Sequence, residues 1–447
     1  MGNNSSQPTV EQMVVNEATH MMPPDQIVQD HPDATVIAHP INTVYPKHFN
    51  FEDNTFKNPD VTIAQPPMTD QIRIYSEIMM ARQFVPNEHQ LRTMKPNWEA
   101  IHSPNHNNIQ YTWLGHSSFF VQVGGFNVLT DPVFRQRCSF FQHLIGPKRL
   151  RPVPMTVDEL PPIDVVVISH NHTDHLDLQA VKDLVRVNKQ NMKLYVPLRM
   201  KAWLHKNVEE LSNEQCIEMD WWQSIQHTFR PNVVPHPHSV GEQTASGVLD
   251  ITFLPSQHWS VRNLFDTNYQ LWGGFGFTYT PNNTTFPKRV FYFAGDTGYN
   301  NYLFKEIRTR FSDPNGGIDV AFLPIGAYGP RWFSASQHTD PVEAVQVAQD
   351  INARHSCGCH FGTFVVSTEP VLEPIEKLHQ VLQLMKLDYQ QYQPWNEHGD
   401  NFFVTVCHGE TYLCKHKTIA DNANVLEGAN KDQNTAVILQ TEREKLI

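Results

Sequence analysis

The sequence has few cysteines and no long apolar run, and its acidic residues outnumber its basic ones. The six cysteines in 447 residues form no regular framework, which argues against a disulfide-stapled secreted fold and predicts reduced thiols in a cytosolic protein. No apolar run approaches the roughly 18 residues that a membrane span needs. The net charge of −12 disfavours a nucleic-acid-binding protein, which usually presents a basic face, so no nucleic-acid partner is expected.

The first ten residues, MGNNSSQPTV, lack the apolar stretch that is typical of a secretory signal. They also match the N-myristoylation pattern Met-Gly-x-x-x-Ser through Gly2 and Ser6. Acylation of Gly2 and a tail that begins with glycine by chance are the two alternatives. Because one acyl chain alone gives only marginal membrane binding, we expect a cytoplasmic protein that associates peripherally with membranes.

Composition divides the chain into four parts. Residues 1–48 and 416–447 are polar and without sustained period, which predicts a disordered N-terminal tail and a loose C-terminal tail. Residues 49–108 form an extension with an amphipathic helix at 70–85, and residues 109–415 form the main domain. The helix would either pack on the main domain or face lipid with its apolar stripe of Ile74, Tyr75, Ile78, Ala81 and Val85.

The main domain contains more predicted strands than helices. Segments rich in Val, Ile, Phe and Tyr and bounded by turn residues predict strands at 111–114, 119–123, 127–130, 164–169, 194–196, 248–253, 275–279, 290–294 and 320–324. Helices are predicted at 178–187, at 373–385 and from Pro341, with Asp340 as N-cap and Glu343 completing a capping box. Short groups of strands favour an α+β fold of mixed sheets with outer helices over a doubly wound parallel sheet.

The segment IDVVVISHNHTDHLDL, residues 163–178, carries the strongest chemical signal. A buried apolar strand ends at Ser169, and four potential ligands follow within six residues: His170, His172, Asp174 and His175. In an extended loop the first two point the same way and can reach one metal ion, while the last two follow a turn and can serve a second ion. Imidazole and carboxylate ligands suit Zn²⁺, with Fe or Mn as alternatives.

Two metal ions need further ligands from elsewhere in the chain. Three candidates each follow a strand-like stretch: His258 after ITFLPSQ, Asp296 after VFYFAG, and His360 at the end of HSCGCH. Asp296 suits a bridge between two ions because a carboxylate has two oxygens. Taken singly, a histidine at a strand end is more often a surface or core residue. Cys357 and Cys359 are interpreted as core thiols rather than ligands.

The HNHTDH segment is the His-x-His-x-Asp-His signature by which the chain resembles the metallo-β-lactamase superfamily. Longer segments across residues 109–415 resemble one branch of it, the N-acyl-phosphatidylethanolamine-hydrolysing phospholipases D, and occur in that branch's order. HNHTDH alone identifies only the superfamily, whereas GDTGY, GAYGPRWF and HFGTF point to the branch. The matching segments include YTWLGHSSFFVQVGGFNVLTDPVF (111–134), GPKR (146–149), MDWW (219–222), PSQHW (255–259), LWGGFGF (271–277), FYFAGDTGY (291–299), PIGAYGPRWF (324–333), QHTDPVEAV (337–345) and HFGTF (360–364).

The resemblance implies an αββα sandwich, with two mixed sheets, helices outside and metal ions along one edge. It also implies two Zn²⁺ ions per subunit and a role for each of seven ligands. The first zinc would be held by His170, His172 and His258, the second by Asp174, His175 and His360, and both would be bridged by Asp296.

The resemblance gives further roles to residues around the metal ions. Asp131 would orient a ligand imidazole, unless it is only a turn residue before Pro132. His338 would face the substrate phosphate and donate a hydrogen bond or shuttle a proton, unless it is an exposed residue before a helix. Thr173 would lie where the family often carries an aromatic residue that touches substrate, so the smaller side chain changes the contacts expected there.

Three other residues are interpreted without a firm role. His116, in WLGH, is undecided between a role near the metal ions and a purely structural one. Lys148 and Arg149, in GPKR, could meet a phosphate, but the sequence favours a solvated pair.

The implied activity is zinc-dependent hydrolysis of N-acyl-phosphatidylethanolamine to an N-acylethanolamine and phosphatidic acid, through a hydroxide that bridges the metal ions. In that reaction Asp296 and His338 would be the catalytic side chains. The implied partner is phospholipid at a membrane surface, and a homodimer is a candidate assembly. Alternatives are another hydrolase of this fold acting on a soluble phosphodiester or a lactone, a nuclease of the superfamily, and a metal-free scaffold.

Overall fold

The structure is a computed structural model. The predicted tails, apart from His48, lie outside the residues that it describes, and so does the candidate acylation site at Gly2. Described residues are 48–63, 66–80, 85–139, 146–228, 247–263, 265–282, 287–312, 317–387, 389–390 and 402–414.

The elements follow one another along the chain in this order. The strands are β1 Phe49–Asn50, β2 Thr55–Phe56, β3 Ile109–Gly115, β4 Ser118–Val123, β5 Phe126–Thr130, β6 Val165–Val167, β7 Lys193–Pro197, β8 Cys216–Met219, β9 Ser224–Thr228, β10 Gly247–Leu254, β11 Gly274–Pro281, β12 Arg289–Phe293, β13 Ile318–Pro324, β14 Ala353–Cys359, β15 Tyr389–Gln390, β16 Phe403–Val404 and β17 Thr411–Cys414. The α-helices are α1 Met68–Met80, α2 Trp98–His102, α3 Leu178–Asn188, α4 Lys201–Asn207, α5 Asn301–Arg310, α6 Arg331–Ser334, α7 Pro341–Asp350 and α8 Glu373–Leu384.

Two large mixed sheets form the centre of the molecule. The first has the order β17-β3-β4-β5-β6-β7-β8 and the second β15-β16-β14-β13-β12-β11-β10-β9. Each combines an antiparallel meander, β3 to β5 or β9 to β12, with parallel strands beyond it. The predicted α+β class with two mixed sheets is therefore confirmed.

Alternate side chains of the first sheet pack into different layers. In β4, Phe119 and Val121 belong to the cluster shared with the second sheet, while Phe120 belongs to the cluster beneath α3 and α4. The Phe119 ring lies 4.2 Å from that of Phe322 in β13, which joins the two sheets. Both faces of this sheet are covered, so its strands have nearly continuous apolar sequences and the layers stack as helix, sheet, sheet and helix.

The predicted strands are all present, but the sequence missed several others, most of them short or at a sheet edge. β8, which reads CIEM, has only four residues, and β9, which reads SIQHT, gives little apolar signal; each lies at the edge of a large sheet. The predicted start of α7 is confirmed: the Asp340 carboxylate accepts from the Glu343 amide at 2.9 Å, and the Glu343 carboxylate accepts from the Asp340 amide at 3.3 Å.

The helix of the extension begins two residues earlier than predicted and does not reach Val85. α1 spans Met68–Met80, and Ile74 and Ile78 are buried against Phe333 of α6. Val85 is 56% exposed, so its placement on the apolar stripe was wrong, because the helix ends before it. The side chains of Tyr75 and Ala81 lie outside the described residues. Among the described helices, none is both long and apolar enough to cross a bilayer.

No disulfide bond joins any of the six cysteines, all of which lie among the described residues, as the sequence predicted. Cys357 and Cys359 lie in β14 and belong to the central core, so their interpretation as core thiols is confirmed.

The contact between the sheets can be tested by removing the Phe119 ring. Phe119→Ala should lower the free energy of unfolding by about 3–5 kcal/mol, because it leaves a cavity at the sheet interface. Urea denaturation measures the change. Tyr302→Ala, at a side chain that is 79% exposed, serves as the control and should change stability by less than about 0.5 kcal/mol. Similar losses in the two variants would contradict the proposed packing.

Candidate metal centre

The loops that carry the predicted ligands meet at one edge of the sandwich. The His170–His175 loop follows β6 of the first sheet, whereas His258, Asp296 and His360 follow β10, β12 and β14 of the second. The carboxyl ends of parallel strands lie at the same edge of a sheet, which places loops from distant parts of the chain together. All seven predicted ligands converge there, in two groups that share this edge.

The first group consists of His170, His172, His258 and Asp296. Nδ1 of His172 lies 2.8 Å from Nε2 of His170 and 3.3 Å from Nε2 of His258. Two nitrogens bound to one tetrahedral zinc are about 3.3 Å apart, given a Zn–N bond of about 2.0–2.1 Å. The imidazoles therefore converge on a point at the separation that one metal ion requires.

The second group consists of Asp174, His175 and His360, with His116 beside them. Nε2 of His360 lies 3.1 Å from Nε2 of His175 and 3.6 Å from Oδ2 of Asp174. Oδ2 of Asp296 lies 3.0 Å from His360 and 3.2 Å from His175. The same oxygen lies 3.8 Å from His258 of the first group, so the carboxylate stands between the two groups.

Outer hydrogen bonds orient three of the ligand imidazoles. Nδ1 of His175 lies 2.6 Å from the Asp131 carboxylate, which also accepts from the Ser169 amide at 2.6 Å. Nδ1 of His170 lies 2.9 Å from Ser169 Oγ, and Nδ1 of His258 lies 2.9 Å from the carbonyl of Gln337. With its proton held on Nδ1, each ring directs the lone pair of Nε2 at the centre.

Asp131 thus lies where the resemblance implied, next to a ligand imidazole. It is also a turn residue with a φ of +32°, so both alternatives describe it. The carbonyl of Gln337 was not predicted, since a backbone acceptor leaves no signal in the side-chain sequence.

The histidines of the two groups differ in the direction of their pKa shifts. Burial lowers the pKa of His170, that of His172 to about 3 and that of His258 to about 4, so these rings are neutral at pH 7. Burial also opposes charge on His175 and His360, but the nearby Asp296 and Asp174 carboxylates outweigh it. They raise the pKa of His175 well above its usual value and that of His360 to about 9.

This donor set fits a metal cofactor. Oδ1 of Asp296 is buried and has no hydrogen-bond partner among the described residues, and the whole residue is only 2% exposed. A buried carboxylate needs positive charge nearby, because isolated burial of a charge is costly, and a metal ion would supply that charge once His175 and His360 had given up their extra protons. Nitrogen and carboxylate-oxygen donors are those that first-row divalent metals prefer.

The backbone next to the ligands is held in uncommon conformations. His116, Asp131 and His360 have φ values of +56°, +32° and +61°, in the left-handed region that non-glycine residues rarely adopt. Gly295, with a φ of +61°, precedes Asp296, and a Cβ there would come within 2.7 Å of the Ser169 side chain. Ser169 contacts both Asp131 and His170, so only glycine lets the Asp296 loop approach this network.

Three other predicted residues lie near the centre. Nδ1 of His338 is 3.8 Å from Oδ2 of Asp296 and has no hydrogen-bond partner in the part of the chain that the structure describes, while the side chain is 15% exposed. His338 is therefore not simply an exposed residue before a helix. Thr173 is partly exposed in the ligand loop, between His172 and Asp174. His116 is fully buried, with Nε2 3.0 Å from Oδ2 of Asp174.

The interpretation of Lys148 and Arg149 as a solvated pair is wrong for the arginine. Arg149 is only 5% exposed, and its guanidinium donates to the backbone carbonyls of Val133 and Arg135. Three donor nitrogens allow one buried arginine to satisfy several carbonyls at once, which ties the 133–135 loop to the core. Lys148 is exposed.

Arg262 is a site residue that the sequence analysis missed. Its guanidinium donates to the carbonyls of Asn171 at 3.0 Å and Leu176 at 2.9 Å, which lie at the two ends of the ligand loop. It also stacks over Trp203, 5.1 Å from the ring centre. No local motif marks this arginine, because its partners are backbone atoms some ninety residues earlier.

Comparison with known proteins connects this geometry to a family. The family model described as "Beta-lactamase superfamily domain" matches residues 126–361, which include all seven candidate ligands. An N-acyl-phosphatidylethanolamine-hydrolyzing phospholipase D 1 of Caenorhabditis elegans is 36% identical over 303 residues, which cover 67% of this chain and 74% of that protein.

Two further relatives cover similar shares of the chain. A mitochondrial N-acyl-phosphatidylethanolamine-hydrolyzing phospholipase D of Saccharomyces cerevisiae is 35% identical over 273 residues, 61% of this chain and 51% of that protein, so the match spans about half of the yeast protein. An uncharacterized protein of Mycobacterium bovis is 32% identical over 333 residues, 74% of this chain and 78% of its own length.

The clamp on the ligand loop can be tested at Arg262. Arg262→Met keeps most of the side-chain volume but removes both hydrogen bonds to carbonyls, so we expect a loss of about 1–3 kcal/mol in unfolding free energy and weaker metal binding. Arg186→Met, at an arginine that is 53% exposed, is the matched control and should change neither property measurably. Equal behaviour of the two variants in urea denaturation and zinc titration would argue against the clamp.

The two groups should respond differently to pH. A metal ion binds neutral imidazole, and His360, with a pKa of about 9, keeps its proton at pH 7 when no metal is bound. For each proton that zinc displaces, the zinc affinity of the second group should therefore rise about tenfold for every pH unit as the pH increases toward 9. The first group, whose rings are already neutral, should bind with nearly constant affinity over this range. Zinc titration against a competing chelator measures both, and parallel pH dependence of the two groups would contradict this assignment.

Proposed function

This chain belongs to the β-lactamase superfamily and, within it, to the N-acyl-phosphatidylethanolamine-hydrolysing phospholipases D, and on that basis we propose that it cleaves N-acyl-phosphatidylethanolamine to an N-acylethanolamine and phosphatidic acid. It is accordingly a metal-dependent enzyme that hydrolyses phosphodiesters. The observation that carries the proposal is the convergence of seven nitrogen and oxygen ligands in two adjoining groups, in a chain 36% identical to a protein named for this reaction.

We propose two Zn²⁺ ions as the cofactor. The first would be held by His170, His172 and His258, the second by Asp174, His175 and His360, and both by Asp296. When bound, such a pair lowers the pKa of coordinated water toward 7 and neutralises charge on a phosphodiester. The protein's part is to direct the Nε2 lone pairs of His175, His170 and His258 at these positions, through the hydrogen bonds that the Asp131 carboxylate, Ser169 Oγ and the Gln337 carbonyl accept.

The reaction exchanges one phosphorus–oxygen bond for another. Water supplies the oxygen of a new bond to phosphorus, the bond from phosphorus to the ethanolamine oxygen breaks, and the departing oxygen gains a proton. The diacylglycerol side keeps the phosphate, so the products are phosphatidic acid and the N-acylethanolamine.

His338 is the side chain that we assign to the substrate phosphate. Its Nδ1 faces the centre, 3.8 Å from Oδ2 of Asp296, and no group of the described residues accepts from it. Burial holds the pKa of His338 well below its usual value, so the ring is neutral and donates through one N–H. A hydrogen on Nδ1 would point at a phosphate oxygen, or pass to the departing oxygen. Thr173, partly exposed in the ligand loop, would contact the substrate beside it.

The substrate is a bilayer lipid, so we propose that the enzyme acts at a membrane surface from the cytoplasmic side. In α1, Ile74 and Ile78 pack on Phe333 and are unavailable to lipid. Trp332, in the same α6 helix as Phe333 and 57% exposed, is the better candidate for contact with lipid, because indole rings favour the polar–apolar boundary. Acylation of Gly2 would add to such binding.

A lipid-product assay tests the function. The zinc-loaded full chain is incubated with vesicles that contain N-acyl-phosphatidylethanolamine, in water enriched in ¹⁸O, and the products are identified by mass spectrometry. We expect N-acylethanolamine without label and phosphatidic acid with one ¹⁸O, because water attacks phosphorus. Turnover of a soluble phosphodiester or a lactone without lipid hydrolysis would instead favour the alternative hydrolase.

A carboxylate variant tests the role of the metal centre in the same assay. Asp296→Asn keeps the shape but removes the charge between the two groups, so turnover should fall by at least about a thousandfold and bound metal should decrease. Asp164→Asn is the matched control: Asp164 lies at the opposite end of β6 and accepts from the Asn127 amide. Full activity of Asp296→Asn, with a normal metal content, would overturn the proposed mechanism.

A further inference from the structure

His116 contacts the second ligand group without being one of its seven predicted ligands. It follows β3 in the turn to β4, and its ring is fully buried. Nε2 lies 3.0 Å from Oδ2 of Asp174, while the ring centre lies 4.0 Å from that of His360 and 5.4 Å from that of Phe364. The function proposed above gives this residue no part in the reaction.

The hydrogen bond has a fixed direction. An ionised carboxylate only accepts, so His116 Nε2 must carry the hydrogen, and that nitrogen then has no lone pair to offer a metal ion. Oδ2 of Asp174 is also the oxygen that lies 3.6 Å from His360 Nε2 and 3.8 Å from His175 Nε2. The contact therefore reaches the oxygen that faces the second group.

Asp174 needs such a contact more than the other ligands do. It lies in the turn after His172 rather than on a strand, and its side chain is 16% exposed, whereas His175 and His360 are 0% and 1% exposed. His170, His175 and His258 are each oriented by a bond on the side away from the centre. A carboxylate in a partly exposed turn can rotate unless a donor fixes it.

The position of His116 is itself fixed from a distant part of the chain. Its backbone amide donates to Thr363 Oγ1 at 2.6 Å, and this hydroxyl lies 2.9 Å from Nε2 of His408. The His408 ring stacks on Trp113 of β3, 4.3 Å between ring centres. The His116 carbonyl accepts from the Trp113 indole at 2.9 Å and from the His360 amide at 3.2 Å, so hydrogen bonds at both its amide and its carbonyl hold the left-handed φ of +56°.

We propose that His116 is a positioning residue that holds Asp174 toward the second metal ion by donating a hydrogen bond from Nε2, and that Thr363 fixes it in place. This role rests on the proposed metal centre. It concerns the second group alone, because His116 has no contact with the first group among the described residues. Metal binding, measured without lipid, tests it independently of the substrate that the enzyme cleaves.

The test compares His116→Phe, which keeps a ring without a donor, with His116→Gln, whose amide can still donate to Asp174. Zinc is titrated against a competing chelator. The phenylalanine variant should bind the second ion about 10- to 100-fold more weakly, with the first ion unaffected, and the glutamine variant should recover much of the loss. Thr363→Val should weaken the second ion in the same direction, and Thr363→Ser should restore it.

Two further measurements separate this role from the alternatives. His355→Phe removes another buried histidine, at the far end of β14, and should leave both zinc affinities unchanged. In the cobalt-substituted protein, hyperfine-shifted exchangeable proton resonances count the bound imidazoles, and five are expected. Wild-type zinc binding in His116→Phe, an equal loss in the phenylalanine and glutamine variants, or a sixth bound imidazole that disappears with His116 would each overturn the proposal.

Discussion

The buried carboxylate of Asp296 constrains the rest of the structure. It is 2% exposed, and its Oδ2 lies within 4 Å of ring nitrogens from His170, His175, His258, His338 and His360. A carboxylate withdrawn from water is costly unless positive charge and hydrogen bonds surround it. The loops that supply these rings must therefore stay within a fraction of an ångström of their places, and the sandwich provides the rigid frame for this.

Neither sheet could form the centre alone. The first group takes two histidines from the loop after β6 and one from the loop after β10, and the second group takes its ligands from the loops after β6 and β14. The two sheets are held in register by side chains such as Phe119 and Phe322. Since each metal ion would bind ligands from both sheets, metal binding and the stability of the sheet interface are thermodynamically linked.

Sequence reasoning succeeded where the signal was local. The apolar strand before Ser169, the capping box at Asp340 and the alternation of Cys357 with Cys359 each depend on residues within a few positions of one another, and the structure confirms them. It failed where the partner is remote or where a strand is polar. Arg149 has the sequence appearance of a surface cation, but backbone carbonyls far from it in sequence accept its hydrogen bonds.

The sequence by itself determined the chemistry of the candidate ligands and their order along the chain, because metal donors are side-chain groups that can be read directly. Only the tertiary structure decided which nitrogen of each ring faces the centre, how His116 meets Asp174 and how Arg262 closes the ligand loop. These contacts depend on backbone acceptors and on the approach of segments up to about 250 residues apart, such as His116 and Thr363. Directional bonds of this kind appear only when the two sheets have packed.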